Sequence, residues 1–194
     1  MTKYYDLPKR NGRQNMGGFS VLVYFAPLSV FTTVKDVKAT TDPGDSVTID
    51  GAHVFASNKG FIKAYTTLDT AKLLTETVGE RGGRAKKITG EFVYPGMSKL
   101  AAELDRNCQN DEFVILVKDI NPGGKFIQVG TKDLPADLMA KFDSGTVSSG
   151  RKGFTFSFEA YAHSLLFYEE DPELTLDATF ASSGGLEDAE TYVG

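Results

Sequence analysis

Residues 154–160, FTFSFEA, alternate Phe154, Phe156, Phe158 and Ala160 with Thr155, Ser157 and Glu159. Successive side chains of a strand point to opposite faces, so this period of two predicts a β-strand with one face on a core and the other on solvent or a partner. The chain before it agrees. Residues 113–118 (FVILVK) are a continuous β-prone run, Asn121-Pro122-Gly123-Gly124 supplies a turn, and residues 125–129 return. That combination predicts a hairpin. From 113 to 160 the residues build strands and loops, with no recognisable nucleophile, metal cage or phosphate cradle. Such a stretch is expected to make a surface rather than to perform a reaction.

The rest of the chain reads as more of the same fold. Residues 20–31 (SVLVYFAPLSVF) suit a strand buried on both faces, with Pro27 marking a break, bulge or edge. Asp42-Pro43-Gly44 predicts a turn, flanked by short strands at 46–49 and 53–56. Residues 61–66 alternate as a half-buried strand does. Residues 71–78 fit either a short helix or a strand. A loop is expected at 79–83, then a strand over 86–94 interrupted by Gly90. The clearest helix spans 98–108: Ser98 caps it, Met97, Leu100, Ala101 and Leu104 share a face, and Asn107 is a plausible stop. Residues 134–141 (LPADLMAK) carry a helical pattern of one or two turns, 143–153 a loop composition, and 165–168 a closing strand.

This predicts a mainly β fold with a flanking α-helix, α+β in class, as an antiparallel β-sandwich or barrel over residues 19–170. Residues 32–60 are strand-poor and read as a long, protruding loop between core strands. The polar stretches 1–18 and 171–194 read as N-terminal and C-terminal arms that order against neighbours. At 194 residues, one domain with such arms is the expected organisation.

Charge and cysteine content narrow the function classes. A net charge of −5 argues against a duplex nucleic-acid binder, which needs a clustered basic face. The single cysteine, Cys108, excludes an internal disulfide and a cysteine-only metal site, and reads as a small buried hydrophobe at the helix end. No apolar run approaches the ~20 residues of a membrane span. The N-terminus lacks the apolar centre of a signal peptide, so synthesis in the cytoplasm is expected.

Reactive groups are sparse. His53 and His163 occur in neither an HxH nor an HExxH spacing, and His163 reads as a surface or edge residue. The run Gly79-Glu80-Arg81-Gly82-Gly83-Arg84 lacks the ending and the strand-to-helix setting of a phosphate-binding loop. Asp42, Asp45 and Asp50 miss the spacing of a calcium loop and read as turn acids. Glu169-Glu170-Asp171 and Glu187-Asp188 read as a solvated or subunit-facing strip rather than a catalytic pair. No catalytic, cofactor-binding or metal-ligating residue is therefore assigned, and no enzymatic activity is expected. Two rival classes stay open. A monomeric ligand-binding β-barrel would use Tyr65, Tyr94 and Tyr161, and a hydrolase would need His53 or His163 beside a serine and a carboxylate.

The order of elements over residues 91–168 resembles the tail tube proteins and related virion proteins of tailed bacteriophages. The matching parts are the helix at 98–108, FVILVKD, the return KFIQVGT, the turn LPADL, the loop ending SGRKG, and FTFSFEAY. The resemblance rests on arrangement and leaves residues 1–60 unmatched. It implies self-association into rings, six subunits to a ring, that stack into a channel through which DNA passes without specific binding. It also implies contacts with other virion tail proteins, a place in the virion after synthesis in the host, and no membrane. Another tail, neck or connector ring protein of the same fold is the nearest alternative. Thr155, Ser157 and Glu159 would then face the lumen or solvent.

Overall fold

The computed structural model describes residues 4–7, 15–40, 42–148 and 150–175. Eleven strands and one α-helix are present among them: β1 (Phe19–Pro27), β2 (Phe31–Thr33), β3 (Val54–Phe55), β4 (Ile62–Tyr65), β5 (Lys72–Val78), β6 (Ala85–Pro95), α1 (Lys99–Cys108), β7 (Glu112–Asp119), β8 (Phe126–Val129), β9 (Ala136–Asp143), β10 (Gly153–Ala162) and β11 (Leu166–Tyr168). Nine strands form one sheet in the order β11-β8-β7-β9-β10-β6-β5, with β1 alongside β7 and β4 alongside β1. Every strand pairing in it is antiparallel. The class is mainly antiparallel β with one helix, α+β as the composition predicts, and the described strands do not close a barrel.

Strand β7 organises the molecule. On one side it pairs with β1; on the other it pairs with β9 at Glu112 and Phe113, then with β8 from Ile115 to Lys118. Its side chains alternate between two cores, which is why the sequence FVILV has no polar member. Phe113, Ile115 and Val117 enter a first core with Val23 and Phe25 of β1, Phe92 of β6, and Phe156 and Phe158 of β10. Val114 and Leu116 enter a second with Ala26, Ile49, Phe61, Phe126 and Tyr168. In the first core the rings of Phe92 and Phe156 stack at 5.1 Å. Residues 154–160 behave as their alternation predicts, with Phe154, Phe156, Phe158 and Ala160 buried.

Residues 34–60 do not protrude. They lie over the second face of the β1–β7 pair, where Ile49 and His53 are buried. Of the two strands expected there, one is corrected and the other forms. Residues 45–47 form a 3-10 turn entered through Gly44 at φ 93°, so only Thr48 and Ile49 make bridges; Val54–Phe55 survives as β3, paired with β2. The expected helical turn at 134–141 is also overturned, for those residues form β9. Ala136 and Leu138 are buried in the first core while Asp137 and Met139 are exposed, and seven cross-strand pairs to β10 outweigh the helix preference of Leu, Met, Ala and Lys.

The ambiguous stretch at 71–78 resolves as strand β5 from Lys72 to Val78, and β6 runs unbroken through Gly90. Helix α1 is capped by Ser98, whose Oγ accepts the Leu100 N–H at 3.2 Å. It continues past Asn107 to Cys108; of the expected face Ala101 and Leu104 pack inward, joined by Cys108, while Met97 and Leu100 do not. The helix packs against β9, and Met97, which precedes its cap, and Leu100 are exposed. At the termini, Met16 exchanges two hydrogen bonds with the Asn121 side chain, and Leu174 bridges Phe61 in parallel. Glu187 and Asp188 lie outside the described residues.

Candidate functional surfaces

His53 is deeply buried, only 2% exposed. The Lys35 backbone N–H donates to its Nδ1 at 3.0 Å, which leaves the ring proton on Nε2. Nε2–H then donates to Gln128 Oε1 at 2.9 Å, and Gln128 Nε2–H donates to the Gly130 carbonyl at 3.0 Å. The ring stacks on Tyr168 at 5.0 Å and meets the edge of Phe31 at 5.6 Å. Burial pushes the His53 pKa below its ordinary value; the Gln128 hydrogen bond opposes this and the Lys35 charge adds to it. The result is a neutral, fully bonded imidazole that fastens residues 34–60 to β8. Among the described residues its ring hydrogen-bonds the Lys35 backbone and the Gln128 side chain, neither a serine nor a carboxylate. Sequence reasoning missed this role because Gln128 lies 75 residues away and no local spacing reports the pair.

A second fastening lies at the surface. Glu169 accepts from Lys125 Nζ at 2.8 Å and from Lys38 Nζ at 3.3 Å, tying the segment's start to β8 and β11. The Lys125 hydrogen bond and then that of Lys38 hold the Glu169 carboxyl below its usual range. Part of the acidic strip at 169–171 thus serves an internal contact.

The open face of β5, β6, β10 and β9 is an ordered array. Register aligns Lys72, Glu91, Ser157 and Met139 in one row, and Leu74, Thr89, Glu159 and Asp137 in the next. Lys72 pairs with Glu91 at 2.9 Å, and Lys87 reaches Glu159 diagonally at 3.1 Å. The Glu159 hydrogen bond and charge raise the Lys87 pKa. Between these pairs sit Leu74 and Met139, 62% and 52% exposed, lining a shallow groove above Gly90. Thr155, Ser157 and Glu159 all belong to this face. Among the described residues, strand β5 ends the sheet and pairs only with β6.

The other sequence candidates scatter. Tyr94 pairs with Phe154 and Tyr161 with Lys87, seven positions apart on β10, so the two rings point to opposite faces. Tyr65 lies on β4, half exposed, and the three do not converge. His163 is exposed. Residues 79–84 form the turn between β5 and β6, closed by Gly83 N–H to the Glu80 carbonyl at 3.0 Å. Asp45 accepts from the Thr40 hydroxyl, and among the described residues no group of three His, Cys, Asp or Glu is placed to hold a metal. No described helix is long and apolar enough to cross a membrane. Comparison with known proteins adds nothing further: no family model, no curated protein and no solved structure matches this chain.

Proposed function

We propose that the chain is a non-enzymatic structural protein of a tailed bacteriophage virion, a tail tube subunit that closes into rings and stacks into a channel for DNA. In this reading the sheet folds into a sandwich, with β1 and β7 across from β6, β9 and β10. The observation that carries it is β5, a seven-residue strand left open at the end of the sheet, with Leu74 62% exposed. An open, regular edge of this length is a template for pairing with another chain, and a ring of identical subunits removes it. The array of paired charges on the same sheet would then line a continuous wall. Its acids and bases neutralise each other locally, which suits a surface past which a polyanion slides without adhering.

Light scattering on the full chain and on Leu74→Lys tests the assignment. The wild-type protein is expected to associate with rising concentration and the variant to stay smaller. A wild-type protein that remains a monomer throughout overturns it. Rings that stop at one layer move the protein to a neck, connector or terminator position.

A further inference from the structure

Residues 34–53 are the loop of the β2–β3 hairpin, and their hydrogen bonds sort into two kinds. Some stay within the loop. Lys38 N–H donates to the Thr48 carbonyl and Asp50 N–H to the Asp36 carbonyl, each at 2.8 Å, and Val37 bridges Ile49 in antiparallel fashion. Pairing of Phe31 with Phe55 and of Thr33 with Val54 closes the base of the loop. Others cross to the sheet. Ile49 N–H donates to the Phe167 carbonyl at 2.9 Å, the His53 ring bonds Gln128, and Lys38 bonds Glu169. The loop can therefore lift from the sheet and keep both its own ladder and its base.

We propose that residues 34–53 are an acid-operated flap, which protonation of His53 releases from β8 and β11 while the first core stays closed. Protonation puts a hydrogen on Nδ1, the atom that accepts Lys35 N–H at 3.0 Å, so two donors then face each other. Nε2–H keeps Gln128, but the cation is left against the rings of Phe31, Phe61 and Tyr168, where a charge is costly. Lifting the loop returns it to water. The groups acting on the ring favour this. Lys35, on the flap itself, repels the cation, whereas Gln128 on β8 is uncharged. Tyr168 on β11 is held neutral by burial, which the His53 backbone opposes; Glu170, Asp171 and Glu173 act on its phenol. Glu169 adds a weaker, exposed hold. Lys125 and Lys38 keep it ionised, so this contact is complete above the ordinary carboxylate range and is lost as pH falls through the lowered pKa. His53 yields first, because its ordinary value lies about two units above that of a carboxylate. Opening uncovers Val114 and Leu116 of β7, Phe126 of β8 and Tyr168 of β11, which share the second core with Ile49. The inference is independent of the tail tube reading.

Residue-resolved amide hydrogen exchange on the full chain between pH 7.5 and 5.5 tests it, read as protection with the intrinsic pH dependence divided out. Protection of Ile49, whose N–H crosses to β11, is expected to fall about five- to tenfold. That is the effect of one proton taken up near pH 6.5 in the open flap and at about pH 5.5 or lower in the closed one. Ile49 is expected to be less protected than Phe156 of β10 throughout and less sensitive to low urea, because lifting the flap exposes less surface than unfolding the chain. Glu169→Gln should retain the fall at Ile49 and His53→Gln should abolish it. Unchanged Ile49 protection across the range overturns the flap. So does equal protection and equal urea dependence at Ile49 and Phe156, which makes the release global. In wild type alone, a fall that begins only in the carboxylate range, near about pH 4.3, assigns the release to Glu169 and overturns the His53 trigger.

Discussion

The ring of Phe158 lies across Gly90 on the neighbouring strand, so close that a Cβ at Gly90 would sit 2.3 Å from the ring. The two residues are direct cross-strand partners between β10 and β6. Glycine here is a packing requirement: the aromatic ring fills the volume that a side chain would occupy and shields the bare backbone.

Gly90→Ala is accordingly expected to destabilise the protein by about 1–3 kcal/mol, the usual cost of overpacking a filled core. Phe158→Leu in the same chain should recover part of the loss, because the smaller side chain withdraws from the added methyl. Denaturant titrations of the two variants and of wild type give the comparison. A neutral Gly90→Ala would mean that the strands separate easily at this point.

His53 predicts a pH dependence with a defined sign. In the unfolded chain it takes up a proton near its ordinary pKa of about 6.5. In the folded chain burial lowers that value. Between the two, the unfolded state binds more protons, so stability is fully present above about pH 6.5 and is lost as pH falls toward the folded pKa. Melting temperatures at pH 7.5 and 5.5 should fall further for wild type than for His53→Gln. Parallel curves for the two proteins would contradict the buried neutral imidazole.

Glu169→Gln should cost little, under about 1 kcal/mol, because the Lys38 and Lys125 contacts are solvent-exposed and screened. The difference from wild type should shrink in 1 M salt, where the screening length is about 3 Å. A loss several times larger, or one insensitive to salt, would show that the triad bears on folding of residues 34–60.

Much of this architecture is legible in the chain because it is local. The FTFSFEA alternation, the NPGG turn and the Ser98 cap each act over a few residues, and each appears where the pattern places it. What fails to read from sequence depends on partners far along the chain. Residues 136–143 have helix-favouring composition and become strand only because β10 offers a matching register. Residues 34–60 look like a projecting loop because their anchors, Gln128, Phe167 and Glu169, lie much later in the chain. The candidate assembly face shows the same division. Its polar half is written in β10 as Thr155, Ser157 and Glu159, whereas the rows they join with Lys72, Leu74 and Met139 exist only once β5 and β9 are aligned.

Negative-stain electron microscopy of the purified full-length protein across a range of concentrations tests the assembly claim most directly. The account predicts closed rings of uniform diameter that stack end to end into hollow tubes. Discrete globular particles of single-subunit size at every concentration would contradict it.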